Sequence, residues 1–333
     1  MRCPTLKEIP PPPPGKHGWP WTEDSAQLPD AMPDGSPWPR ISVVTPSFNQ
    51  GQYIEETIRS VLLQGYPNIE YFVIDGGSTD SSIDIICKYE PWLSHWVTEP
   101  DQGQAHAINK GLMRMTGDVV AWVNSDDLYL QGAFACVAYA YKEKPNALLQ
   151  GKGFITDSLL RRESVVSPDG FTLENIITYW KRSATIFVPG LFFPTSLVRE
   201  VGFLDQELDY TFDIDILCRL LRKASVYYID SPLAMFRWHE TSKTVAEPQQ
   251  FQLEWAKVAL RYWHYVSPNI NEAYKHITKS LIKRASGRFR SRDLMNATRL
   301  IGGSLEINKT ETVRAAFLEL GRLMLGGRFT GRA

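Results

Sequence analysis

From about residue 40 onward, hydrophobic and polar positions in this chain alternate between short apolar runs and helical stripes. Ile41-Ser42-Val43-Val44-Thr45-Pro46-Ser47-Phe48-Asn49 reads as a strand that stops at a proline. Tyr53, Ile54, Ile58, Val61 and Leu62 then share one helical face, and Gly65 and Pro67 close that helix. A second strand, Tyr71-Phe72-Val73-Ile74, runs into Asp75-Gly76-Gly77-Ser78-Thr79-Asp80. Two glycines there permit a sharp turn, and Ser78, Thr79, Asp80 and Ser81 can cap a helix carrying Ile83, Ile86 and Cys87. A third helix holds Ala105, Ile108, Leu112 and Met115, and Gly117-Asp118 lead into apolar Val119-Val120-Ala121-Trp122-Val123. Strands this continuously apolar belong to a sheet covered on both faces, so the pattern predicts an α/β domain.

The last of these strands ends on Asn124-Ser125-Asp126-Asp127. Side chains alternate along an extended segment, so Asn124 and Asp126 are expected to point the same way at its carboxyl end. That edge is where open parallel α/β sheets bind ligands. Two oxygen-bearing side chains can hold Mg²⁺ or Mn²⁺ against a diphosphate. The plainer alternative is an acidic turn whose Asp126 or Asp127 starts the next helix. The chain has neither the G-x-G-x-x-G of dinucleotide binders nor a P-loop lysine, so a nucleotide is expected on Thr45, Asp75 and the acidic strand end rather than in a glycine cradle.

The ends of the chain differ from its middle. Residues 1–39 are rich in proline, with Pro10 to Pro14 consecutive, and contain Trp19, Trp21 and Trp38. The proline run is expected to be extended, and three tryptophans argue that part of this segment lies against the domain that follows. From residue 246 to 333 the pattern is helical, with Phe251, Trp255, Val258, Ala259 and Tyr262 on one face. Within it, Lys275, Lys279, Lys283, Arg284, Arg288, Arg290, Arg292 and Arg299 face a single acid, Asp293. A solvated helix face is one reading, and attraction to anionic lipid headgroups is the other.

A formal net charge of −1 gives no global attraction to nucleic acid. Cys3, Cys87, Cys136 and Cys218 are far apart and form no C-x-x-C pair, and Cys87 and Cys218 are expected on buried helix faces, as in a reduced cytoplasm. No run approaches the roughly 18 apolar residues of a membrane span, so a cytoplasmic protein is expected, with peripheral contact at the inner face of the membrane as an option.

At this point the chain resembles the family 2 glycosyltransferases of the GT-A fold. The matching stretches are Val43 to Asn49, Ile74 to Asp80, Ala107-Ile108-Asn109-Lys110-Gly111-Leu112 and Asn124 to Asp127. Phe212-Asp213-Ile214-Asp215-Ile216-Leu217-Cys218-Arg219-Leu220 and Arg237-Trp238-His239-Glu240-Thr241-Ser242 complete the set in order. The resemblance spans residues 40–245 and implies a mixed sheet flanked by helices, followed by a C-terminal helical extension. It also implies inverting, non-processive transfer of a sugar from a nucleotide-diphosphate donor, of the exopolysaccharide or cell-envelope type, to a glycan or lipid-linked acceptor.

The resemblance further implies roles for single residues. Asp126 is the expected metal ligand and His239 its partner, with Mn²⁺ or Mg²⁺ as the ion. Thr45, Pro46, Asp75, Asn109, Lys110 and Asn124 are expected to hold the nucleotide sugar, with Asn124 facing the ribose and Lys110 near the phosphates. Asp213, in the first turn of a helix, is the expected base. The sequence departs from the family pattern at Gly76 and Asn124, where acids are common, and at Phe212, where an acid commonly precedes the base. A nucleotidyltransferase shares such a sheet and metal site, although Pro46-Ser47-Phe48-Asn49-Gln50-Gly51 lacks a basic glycine-rich loop. An inert nucleotide-sugar-binding scaffold is the third alternative.

Overall fold

The computed structural model describes residues 1–290 apart from Arg182 and Thr241, and of Glu163, Thr244, Val245 and residues 282–290 it describes only the backbone. The chain divides into two compact units. The first comprises Met1–Phe171 and Thr185–His239, and the second takes Thr172–Ala184 together with the chain from Glu240 onward.

The first unit opens with β1 (Ile41–Ser47), α1 (Ile54–Leu62), β2 (Ile69–Asp75), α2 (Ser82–Tyr89), β3 (His95–Thr98), α3 (Gln104–Leu112) and β4 (Val119–Trp122). It continues through β5 (Leu128–Tyr129), α4 (Ala133–Glu143), β6 (Leu148–Thr156) and β7 (Arg162–Val166). After α5 (Leu173–Ile177), which belongs to the second unit, come β8 (Leu191–Pro194), α6 (Thr195–Val201), α7 (Phe212–Leu220) and β9 (Val226–Arg237). The nine strands form one mixed sheet in the order β3-β2-β1-β4-β8-β6-β9-β5, with β7 paired to β6. Strands β3, β2, β1 and β4 are parallel, so their carboxyl ends share one edge. Strand β8 then runs antiparallel to both β4 and β6.

The apolar strands are buried as their sequence requires: every residue of β1 and β4 is buried, and Val43, Tyr71 and Val73 join Ile54, Ile58, Val61 and Leu62 in one core. Helix α1 departs from the single buried face that its pattern predicts. Glu56, Thr57, Arg59 and Ser60 on its polar side are buried as well. The cover is the N-terminal segment, whose Cys3, Ile9, Met32 and Trp38 belong to the same core. Arg59 donates to the carbonyls of Pro10 (2.7 Å), Pro20 (3.0 Å) and Trp21 (2.9 Å) and to the Tyr89 hydroxyl (3.0 Å). A buried guanidinium needs its donors satisfied, and this proline-rich segment supplies carbonyls because proline has no competing backbone N–H.

Two thiol expectations differ in outcome. Cys218 is buried, whereas Cys87 is exposed because it points away from the face of α2 that Ser82, Ile85, Ile86 and Tyr89 bury.

In the second unit, α8 (Lys243–Ala246) and α9 (Pro248–Tyr262) precede α10 (Ile270–Arg290). Ala256, Val258, Ala259 and Tyr262 are buried, and Trp255 donates to the Ile176 carbonyl at 3.0 Å. The basic run beginning at Lys275 falls mostly outside the described side chains. Among the described residues, no helix is long and apolar enough to cross a membrane.

Candidate active site

Strand β4 stops at Trp122, so strict alternation no longer governs Asn124 and Asp126. Residues 124–127 form a turn in which the Asp127 N–H donates to the Asn124 carbonyl at 3.1 Å. The amide of Asn124 therefore faces Gln104, whose Nε2 donates to Asn124 Oδ1 at 2.7 Å, and reaches Asp127 Oδ2 at 3.4 Å. Asp126 points elsewhere, with Oδ2 lying 2.8 Å from His239 Nε2. The two expected metal ligands are thus brought together from positions 113 residues apart.

His239 reaches this place because β9 runs parallel to β6 as far as Thr156↔Arg237 and delivers the next residues to the same edge. Trp238, between these two residues, is 47 % exposed, since it follows the last paired residue of the strand. The Tyr53 ring lies 4.9 Å from the imidazole of His239 and 4.5 Å from the guanidinium carbon of Arg237.

Arg237 holds the acidic turn from below. Its Nε donates to the Asp126 carbonyl at 2.8 Å, Nη1 to the Ser158 carbonyl at 2.9 Å, and its backbone N–H to Asp127 Oδ1 at 2.9 Å. Thr57 Oγ1 lies 2.9 and 2.7 Å from the carbonyl oxygens of Ser125 and Asp127. Asp127 is completely buried, and burial, followed by the neighbouring Asp126 charge, pushes its carboxyl well above the ordinary range. It is a structural acid of the turn, while Asp126 stays partly accessible.

The remaining expected residues are distributed along the same parallel strands. Thr45 is buried, with Oγ1 3.0 Å from the Tyr71 hydroxyl, and Pro46 follows it in the buried end of β1. The Asp75 carboxylate accepts from Gly77 N (3.1 Å), Ser78 N (2.8 Å), Ser78 Oγ (2.5 Å) and Thr98 Oγ1 (2.7 Å). Asn109 is buried and clamps the backbone of Leu204 from both sides, donating to its carbonyl at 2.8 Å and accepting its N–H at 2.9 Å. Lys110 pairs with Glu99 at 2.8 Å. Asp213 sits half-buried in the first turn of α7, where Oδ1 accepts the Ile214 N–H at 2.8 Å. That helix is anchored by the ion pair of Asp215 and Arg219 at 2.9 Å, and Arg219 also donates to the carbonyls of Val201, Gly202 and Phe203.

Five residues of this arrangement carried no functional role in the sequence reading: Arg237, Glu56, Thr57, Tyr53 and Gln104. Arg237 was within reach, because strand alternation from His239 lands on it. Glu56 was not, since its partner lies 181 positions away.

Asp126 and His239 offer one carboxylate oxygen and one imidazole nitrogen, and among the described residues no group of three or more metal-ligating side chains gathers. That donor set suits a divalent ion that takes its other ligands from substrate phosphates and water, and the imidazole favours Mn²⁺ over Mg²⁺.

The sequence signature of Glycosyl transferase family 2 matches residues 42–195. An uncharacterized glycosyltransferase of Mycobacterium tuberculosis is 30 % identical over 184 residues, which cover 54 % of this chain and 68 % of that protein. A putative teichuronic acid biosynthesis glycosyltransferase of Bacillus subtilis is 45 % identical over 92 residues, 27 % of this chain and 36 % of that protein. Among solved structures, S. aureus TarS 1–349 in complex with UDP-GlcNAc superposes with a TM-score of 0.61 at 18 % identity, covering 86 % of this chain and 92 % of that one. A mannosyltransferase of Pyrobaculum calidifontis in complex with GDP-Man and Mn²⁺ gives a TM-score of 0.50 at 18 % identity, with 89 % and 83 % covered. The mixed sheet with its flanking helices is the GT-A fold.

Proposed function

The chain belongs to glycosyl transferase family 2, and from that premise we propose that it transfers a sugar with inversion from a nucleotide-diphosphate donor to a hydroxyl acceptor, with a divalent metal, in the assembly of polysaccharide or cell-envelope glycan. The observation that carries this reading is the 2.8 Å approach of Asp126 Oδ2 and His239 Nε2 on the carboxyl edge of the parallel strands. The relatives' own chemistry agrees with it: TarS is found with UDP-GlcNAc, the archaeal mannosyltransferase with GDP-Man and Mn²⁺, and the B. subtilis relative is assigned to teichuronic acid biosynthesis.

Sugar transfer requires that negative charge developing on the leaving diphosphate be stabilised while a hydroxyl loses its proton during attack on the anomeric carbon. Asp126 and His239 would hold the metal, which when bound supplies Lewis acidity to the diphosphate. Arg237 and Thr57 fix the turn so that Asp126 keeps its orientation. Asp213 takes the acceptor proton, and its place in the first turn of α7 is held by the Asp215–Arg219 ion pair within that helix. Asn124 in place of an acid keeps an acceptor oxygen at the edge without a second negative charge. The nucleotide moiety lies over the ends of β1 and β2, which Thr45, Pro46 and Asp75 shape from beneath through their buried contacts, with Lys110 toward the phosphates. The acceptor is a glycan or a lipid-linked glycan.

A thermal-shift panel of nucleotide sugars with and without Mn²⁺ tests the reading. A ligand at 100 times its Kd stabilises by about 2.7 kcal/mol. At least one nucleotide sugar should raise the melting temperature in Mn²⁺ and lose that effect in EDTA. A panel that leaves the melting temperature unmoved would remove the donor from this proposal.

A further inference from the structure

Gly76 follows β2 directly on the carboxyl edge of the sheet, where its N–H donates to the Ser47 carbonyl at 2.8 Å. It is buried, and a Cβ at this position would collide with Oδ2 of Asp101. Asp101 comes from the loop between β3 and α3 and is half-buried, with Oδ1 accepting the Gly103 N–H at 2.8 Å. The absent side chain at 76 is therefore what lets a carboxylate from a neighbouring loop occupy that place.

Asp75 has different work. It is inaccessible, and its carboxylate already accepts from Gly77 N, Ser78 N, Ser78 Oγ and Thr98 Oγ1. Three of these donors crowd Oδ2 and the fourth takes Oδ1, and because no part of the carboxylate reaches the surface it is closed to a nucleobase N–H. Asp101 engages Gly103 through Oδ1 alone, and Oδ2 lies against Gly76 at the edge where the family usually carries a second acid.

We propose that Asp101 is the specificity-determining acid of the donor site and that its Oδ2 accepts a ring N–H from the base. This rests on the reading of the chain as a nucleotide-sugar transferase. A carboxylate only accepts. Set against the ring nitrogen rather than an exocyclic amine, it selects uracil or guanine, whose pairing edges present a ring N–H, against cytosine and adenine, whose ring nitrogens at that edge are themselves acceptors. Gly76 is the permissive partner, since any side chain there displaces the acid.

Calorimetric titration of the full chain in Mn²⁺ with UDP, GDP, CDP, ADP and inorganic diphosphate tests this. Wild type should prefer UDP or GDP. Asp101→Asn keeps an oxygen for the Gly103 N–H, so the loop is retained, yet affinity for the preferred nucleotide should fall about 10–100-fold, the loss of a charge-assisted hydrogen bond. Inorganic diphosphate should bind both proteins alike, and Gly76→Ala should repeat the nucleotide loss. An Asp101→Asn protein that keeps wild-type affinity and preference overturns the inference. So does equal loss of nucleotide and inorganic diphosphate, which would mark Asp101 as a structural cap, and so does a wild type indifferent to the base. If wild type binds none of the four nucleotides, the nucleotide-sugar reading fails first and this inference falls with it.

Discussion

Arg237 and Glu56 form a buried ion pair, with Nη2 2.6 Å from Oε2 and side chains only 3 % and 7 % exposed. The same guanidinium holds the carbonyl of Asp126. Glu56 also accepts Trp21 Nε1 at 2.9 Å and Lys16 Nζ at 3.1 Å through Oε1, so the N-terminal segment and the acidic turn meet on one carboxylate.

Removing that carboxylate leaves Arg237 buried without its counter-charge. Glu56→Ala should cost about 3–5 kcal/mol in urea unfolding. Activity should fall further than the residual folded fraction accounts for, because the turn bearing Asp126 loosens. Burial alone would raise the Glu56 carboxyl, but the charge and hydrogen bond of Arg237, with Trp21 and Lys16, outweigh it and hold the group below its ordinary value. The folded value therefore lies beneath the unfolded one of about 4.3, so the contribution is fully present above that pH and is lost as pH falls through the folded value. The stability gap between wild type and Glu56→Gln should accordingly be constant near neutrality and narrow on acidification. A gap that stays constant into the acid range would contradict this assignment.

The parallel half of the sheet was legible in the sequence, because β1, β2 and β4 are apolar on both faces and each ends on a turn signal. What lay beyond local pattern was the burial around α1: Glu56 and Arg59 occupy positions that helical periodicity assigns to water, and chain distant in sequence covers them, the N-terminal segment over both and Arg237 against Glu56. In the site, Asp126 and His239 could be named from motif order. Their contact could not, since it depends on β9 lying parallel to β6 and on β4 ending at Trp122 rather than running on to Asn124. The same limit applied to Asp101, whose relation to Gly76 is set by the neighbouring strand.

Asp213→Asn is nearly isosteric and removes only the ability to take a proton. Acceptor-dependent turnover should fall about 10²–10⁴-fold. Donor affinity should stay within a few-fold, since the proton comes from the acceptor. A variant that loses donor binding in calorimetry but retains turnover would show that Asp213 is not the base.

Arg59→Met removes the donors that hold the carbonyls of Pro10, Pro20 and Trp21 and leaves those groups in a buried setting. Each unsatisfied buried acceptor costs about 1–3 kcal/mol. Limited proteolysis should cut residues 1–39 faster in this variant than in wild type. Equal cleavage rates would mean that the segment is held by its apolar contacts alone.

His239→Ala should weaken nucleoside diphosphate binding in Mn²⁺ and scarcely alter it in EDTA, because the imidazole acts beside Asp126 on the metal. A histidine with only a structural role gives a lower melting temperature and metal titrations that superimpose on wild type. Titrating the diphosphate at several Mn²⁺ concentrations separates the two.

The most direct measurement is slow hydrolysis of a nucleotide sugar without acceptor, followed by chromatography of the phosphorylated products for wild type and Asp126→Ala, each in Mn²⁺ and in EDTA. Wild type in Mn²⁺ should release nucleoside diphosphate, and both wild type in EDTA and Asp126→Ala should release none while keeping the wild-type circular dichroism spectrum. Nucleoside diphosphate formed equally well in EDTA or by Asp126→Ala would contradict a donor held through metal at this turn, and inorganic pyrophosphate as the product would contradict glycosyl transfer itself.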